Sequence, residues 1–323
     1  MSEPNQTAKD PVRAIADAVL YEGYVLFPYR RSALKNQQRF TWGGVYPVGW
    51  PEGPARLRTE CLLEGDPADV EVTARFLQVV DRAVQDPDGL PVDELTVDGE
   101  RYLTWEEAVE REIAVSAVPG RTPVEIEAAS EREQLAGGAG ALMRSHRALH
   151  GVIETSVTEL EPGLHRIGVE VANAASWDGD RRDDVLKDTL CSTHVVLRTG
   201  AGAFVSLTDP PADRREHAEA CDNEGLWPVL AAERGDHTTI LASPIILEDH
   251  PRIAPESPGD LFDGGEVDQL LTLTILAMTD AEKAEMRATD PRAREILERT
   301  EAMDGDDLMR LHGTIRDMGP AHR

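Results

Sequence analysis

LTVDGERYLT, residues 95–104, decides the fold class. Two short apolar runs, Leu95 to Val97 and Tyr102 to Thr104, flank Asp98-Gly99, a pair suited to the two positive-φ positions of a tight hairpin turn. The same period-two alternation recurs on either side, in Leu57 to Leu63, Val70 to Val80, Glu110 to Val118 and Val124 to Ala128. Further on, His150 to Thr158 and Leu164 to Val171 alternate around Glu161-Pro162-Gly163, and Leu190 to Leu197 and Ala203 to Leu207 are read as a pair around Gly200 to Gly202. Thr238 to Leu247 reads as a buried strand. Short strands with turn signals at this spacing predict an antiparallel, sandwich-like sheet region.

The period changes near both ends. Val12 to Leu20 is amphipathic, and Asp213 to Asp222 reads as a short polar helix. Val267, Leu270, Leu271, Thr274, Ile275 and Met278 form one apolar helical stripe. Thr279 with Glu282 predicts a capping box, Asp290-Pro291 an N-cap with proline in the first turn, and Gly305 precedes a last helix, Asp306 to Met318. The expected class is α+β, mainly antiparallel β with a C-terminal helical segment. Residues 1–11 read as a flexible tail, 12–264 as a β-rich domain and 265–318 as the helical segment. The glycine-alanine run Ala136 to Ala141 is read as a loop tip between two β-rich halves, which form either one domain or two.

With 60 acidic against 33 basic residues, the net charge of −27 repels nucleic acid and anionic membrane surfaces, so neither is an expected partner. The first ten residues are polar and no run of about eighteen apolar residues occurs, so no membrane insertion is expected. Three widely spaced cysteines without framework spacing suit a reducing, cytoplasmic setting.

One segment opposes the overall charge. Between Tyr21 and Trp50 lie eight of the fifteen aromatic residues, and Arg30, Arg31, Lys35 and Arg39 face the single acid Glu22. These cations, with Tyr29, Phe40 and Trp42 as stacking surface, are candidates for binding an acidic protein partner. The alternative is intramolecular: the cations neutralise the protein's own acidic surface while the aromatics fill the core.

No nucleophile elbow, phosphate loop, dinucleotide fingerprint or metalloprotease motif occurs, which favours a non-catalytic role. Cys191, His194, His217 and Cys221 supply two thiolates and two imidazoles, a zinc-type ligand set and the alternative functional reading. Cys191 and His194, three apart on a strand, would point to opposite faces unless a bulge intervenes. A buried small hydrophobe and satisfied histidines are the ordinary account, and no other cofactor is expected. His146 and His150, four apart, are expected on one face beside Arg144 and Arg147. The carboxylates Glu248, Asp249, Glu256, Asp260, Asp263 and Glu266 read mainly as solubilising charge.

Two tracts, LYEGYVLFPYRRSALKNQQRFTWGGVYP (20–47) and SPIILEDHPRIAPESPGDLFDGGEVDQLLTLTILAMTDAEKAEMR (243–287), cover about a quarter of the chain. They resemble an uncharacterised protein family encoded beside actinobacterial-type nickel-iron uptake hydrogenases. The resemblance implies an accessory or interaction protein that serves hydrogenase assembly or maturation, with hydrogenase subunits or maturation factors as partners. It carries no catalytic residues.

Overall fold

The computed structural model describes residues 11–21, 30, 32, 41–252 and 272–304. Strands alternate along most of this length: Arg56–Glu64 (β1), Val70–Gln85 (β2), Pro91–Val92 (β3), Glu94–Val97 (β4), Glu100–Leu103 (β5), Trp105–Ser116 (β6), Gly120–Ile126 (β7), Ala129–Gln134 (β8), Ala141–His146 (β9), Leu149–Glu161 (β10), Leu164–Asn173 (β11), Cys191–Thr199 (β12), Ala203–Val205 (β13), Trp227–Leu230 (β14) and Thr239–Ser243 (β15). The helices include Pro11–Tyr21 (α1), Arg182–Leu186 (α2), Arg215–Glu219 (α3), Asp280–Thr289 (α4) and Pro291–Glu301 (α5), and residues 272–276 are helical as well. None of them is long and apolar enough to cross a membrane.

One sheet runs β13-β1-β11-β10-β7 and the other β14-β15-β12-β2-β9-β8, with β6 and β3 also paired to β2. These pairings are antiparallel, and the two sheets pack as a sandwich. Side-chain parity sets the layers. Leu57, Cys61 and Leu63 of β1, Val72, Ala74 and Phe76 of β2, and Ile167, Val169 and Val171 of β11 point inward to a shared apolar core. The opposite parity of β2 and β12 faces outward: α1 covers Val196 and Leu241 with Val12, Ile15 and Ala16, while Leu77 and Val79 pack with Leu20, Trp50, Leu186 and Cys191.

The Asp98-Gly99 turn forms as its chemistry requires, with φ of 52° and 85° between β4 and β5. The Thr279–Glu282 capping box and the Asp290 N-cap are both present. Of the C-terminal stripe, Thr274, Ile275 and Met278 are described, and Ile275 is buried among Met286, Ala293, Ile296 and Leu297. Val267, Leu270 and Leu271, Gly305 and the last helix of the sequence reading lie outside the described residues.

One expectation is corrected. β12 and β13 do not pair across Gly200 to Gly202: β12 lies between β2 and β15, whereas β13 adds to β1 in the other sheet. Thr199 Oγ1 accepts hydrogen bonds from the backbone N–H of Ala201 and Gly202 where the chain turns out of the β2 sheet. Close backbone contact fixes the crossover, because a Cβ on Gly65, at φ 147°, would stand 2.8 Å from Gly202 Cα. The Ala136 to Ala141 run is a loop tip, as the sequence reading expects. It turns β8 back onto β9, Leu135 N–H donating to Gly140 O at 2.9 Å, and both sheets draw strands from each side of it.

Arg82 of β2 ties the helical segment to the sheet. Its Nη1 donates to Glu107 at 2.6 Å, its Nε to Leu103 O at 2.9 Å, and its Nη2 to Ala288 O and Thr289 O at 2.6 and 3.1 Å. The last two are carbonyls at the end of α4, which lack intrahelical partners, so the guanidinium serves as a buried C-terminal cap. Glu107 spends its second oxygen on Arg144, at 2.8 Å. Burial pushes the Arg82 pKa down while Glu107 opposes that shift, and arginine keeps its charge. Arg82→Met should therefore cost about 3–5 kcal/mol in urea unfolding, the cost of leaving a buried partner uncompensated. A loss below about 1 kcal/mol would show that the helices are held elsewhere.

Candidate functional site

Where β2 runs past the sandwich, a groove of about 1100 Å³ opens. Asp81, Ala83, Trp105 and Glu106 come from β2 and β6. Asp93, Glu94 and Arg101 come from the β4–β5 hairpin and the residue before it. Asp183 of α2, Glu285 of α4 and Ser32 also line it. Carboxylates outnumber guanidiniums six to two among the described lining residues, the latter being Arg82 and Arg101. The volume is at the upper end of ligand pockets, and the field inside favours positive charge. The acidic field is partly neutralised from below. Lys187 Nζ donates to Asp81 at 2.6 Å and lies 3.4 Å from Glu106. Burial acts against the Lys187 charge, but those two carboxylates outweigh it and raise its pKa. On the rim, Arg101 pairs with Glu94 at 2.5 Å.

The basic segment touches this groove. Arg30 donates to Glu282 of α4 at 2.7 Å, and Ser32 gives Glu285 both its backbone N–H, at 2.8 Å, and its hydroxyl, at 3.1 Å. Arg30 thus spends a charge on the protein's own acidic helix, the intramolecular reading of that residue. Trp42 is 47% exposed, directly after buried Thr41, whose hydroxyl accepts from Ser192 N–H. Tyr29, Arg31, Lys35, Arg39 and Phe40 lie outside the described residues.

The four candidate metal ligands fall into two separated pairs. A register shift between Cys191 and His194, with Ser192 at φ 53°, places Cys191 opposite Leu77 and His194 opposite Arg75. The bulge that a shared face required is therefore present, and both residues occupy the outer face of the β2 sheet. His217 and Cys221 lie across the sandwich, beside Leu62, Leu164 and Val205 on the outer face of β1 and β11. Packed sheets stand about 10 Å apart, so one ion cannot span the two pairs. Each pair has other partners. Cys191 Sγ faces the carbonyls of Leu186 and Thr189, and His217 Nε2 lies 3.1 Å from Glu161. Burial pushes the Cys221 thiol up to about 11. Among the described residues no group of three or more His, Cys, Asp or Glu side chains is arranged to hold a metal ion.

His146 and His150 also separate, into β9 of one sheet and β10 of the other. His146 lies between Gln78 and Arg111, each at 3.2 Å, while His150 is exposed. Asp249 is structural, accepting from Ser206, Thr208 and Leu230 N–H. Glu256, Asp260, Asp263 and Glu266 lie outside the described residues. The groove carboxylates were not singled out from sequence, because each is one acid among sixty and only folding brings the hairpin, β2, α2 and α4 together. Their legible signal is the acid density around the Asp98-Gly99 hairpin. No protein-family model and no curated protein matches the chain.

His194 generates a pH prediction. It is fully buried, its Nδ1 lies 3.2 Å from Ser192 O, and burial followed by the charge of Arg75 depresses its pKa from 6.5 to about 3. Arg75 itself binds Asp17 of α1 at 2.5 Å. The folded state keeps the imidazole neutral while the unfolded chain takes up a proton below pH 6.5, so stability is full above that pH and falls as pH drops toward 3. Unfolding free energy should fall by about 3 kcal/mol from this group between pH 7 and 4. His194→Leu should flatten that part of the slope, and an unchanged slope would assign the acid sensitivity elsewhere.

Proposed function

We propose that this protein is a non-catalytic accessory protein of the cytoplasm that assists assembly or maturation of a nickel-iron hydrogenase through protein–protein contact. The observation that carries the binding role is the acidic groove: an open concavity bounded by strands, a hairpin and two helices, rigid on its β2 floor and biased toward a basic partner segment. The hydrogenase setting rests on the resemblance of residues 20–47 and 243–287. Ser32, from the basic aromatic segment of the sequence, lines the groove and donates to Glu285. The zinc reading draws no support from the placement of Cys191, His194, His217 and Cys221 on two opposite faces.

Affinity purification of the tagged protein from cells expressing a hydrogenase tests the reading. Hydrogenase subunits or maturation factors should co-purify, and Glu94→Lys with Asp183→Lys should reduce their recovery about tenfold or more without unfolding the bait. Recovery of none of them from a well-expressed bait would reject the accessory role. Undiminished recovery with the double variant would move the docking surface away from the groove.

A further inference from the structure

A second pair of side chains lies at the opposite chain-edge of the β2 sheet, in the loops around β15. His237 ends the loop between β14 and β15, and His250 follows β15. Their rings are 6.3 Å apart between centres and tilted by 60°. Each Nδ1 faces a backbone carbonyl: His237 that of Phe204, at 3.0 Å, and His250 that of Ala232, at 2.7 Å. A carbonyl only accepts, so both hydrogen bonds require Nδ1 to carry the proton. In the neutral rings the lone pair is thereby fixed on Nε2. A hydrogen bond that holds one ring nitrogen while the other stays basic is the arrangement metal-ligating histidines use.

We propose that His237 and His250 form a two-imidazole chelate for a first-row divalent transition metal, with solvent completing the coordination. Two imidazoles bound to one ion at about 2.0–2.1 Å place their ring centres roughly 4.5–6.5 Å apart, so small side-chain rotations bring the observed spacing into register. The backbone holds the pair from both ends. His250 adopts φ 57° and its N–H donates to Leu230 O at 2.6 Å, while His237 O accepts from Phe204 N–H at 2.8 Å. Asp236, next to His237 in the chain, accepts from the Thr238 N–H at 2.9 Å and hydroxyl at 2.6 Å, and its negative charge favours a cation. His237 is exposed and His250 half-buried, so an ion reaches the pair from solvent. Two other histidines differ: His194 is sealed in the interior, and both ring nitrogens of His146 face other side chains. Imidazole pairs bind copper(II) most tightly of the series, with nickel(II) and zinc(II) weaker.

The site does not depend on the accessory role. Copper(II) titration of the full-length protein, followed by calorimetry and electron paramagnetic resonance, should find a site with two nitrogen ligands. His237→Ala and His250→Ala should each weaken it about tenfold or more, and His150→Ala, an exposed histidine elsewhere, should not. Zinc(II) should protect His237 and His250 from diethyl pyrocarbonate, read peptide by peptide in the wild-type protein, which keeps the test free of variant misfolding. Equal copper affinity in the wild type and both pair variants, or protection confined to other histidines, would overturn the proposal.

Discussion

The backbone ladder of β2 is the constraint on which the rest of the molecule depends. Its sixteen residues exceed the length of an ordinary strand, so each edge serves two partners in succession. β12 and then β9 take one edge; β6 and then β3 take the other. Between β12 and β9 the ladder is interrupted, and buried Gln78 bridges the gap by donating to Arg147 O and accepting from Arg111. The first half of β2 supplies sandwich core from one face and the seat of α1 from the other. Its second half leaves the sandwich and carries both the groove floor and the arginine that holds the C-terminal helices.

That division explains why two buried arginines of one strand have different tasks. Arg75 lies under α1 and meets Asp17 and Glu110, so it fastens a helix through side-chain charge. Arg82 fastens another helix through the carbonyls at its end, with Glu107 balancing the charge. In both cases the guanidinium spreads several donors over a rigid plane, and one side chain ties together elements that are distant in sequence.

Features that depend on local chemistry were legible in the sequence, and those that depend on long-range assembly were not. The Asp98-Gly99 hairpin, the Thr279–Glu282 box and the Glu161-Pro162-Gly163 turn are each decided by a few neighbouring residues. β8 has no apolar alternation at all, since Ala129–Gln134 is exposed throughout, so neither it nor its pairing with β9 was visible. Gly200 to Gly202 carried a turn signal correctly, yet a turn signal does not say whether the chain returns to its own sheet or crosses to another. The metal set failed for the same reason: four suitable residue types were chosen from two faces of a sandwich whose thickness a sequence does not display. The groove was hidden by the acidity that defines it.

The crossover at Gly200–Gly202 bears on how the molecule comes to fold. β1 pairs on one edge with β11, from Arg56↔Ala172 to Glu64↔Leu164, and on the other with β13, both a hundred residues or more farther along the chain. One edge of β2 likewise waits for β12, while its other edge pairs with nearby β6. Contacts of such sequence separation close large loops before they return any stabilisation, which makes assembly slow and places the N-terminal strands under the control of synthesis farther along the chain. During translation β1 emerges long before β11 and β13, whereas β2 gains β3 and β6 soon after it and leaves open only the edge that β9 and β12 later take. The dense negative charge of the chain, dispersed over both halves, then acts on the nascent protein as well, keeping incomplete copies apart until the second half arrives.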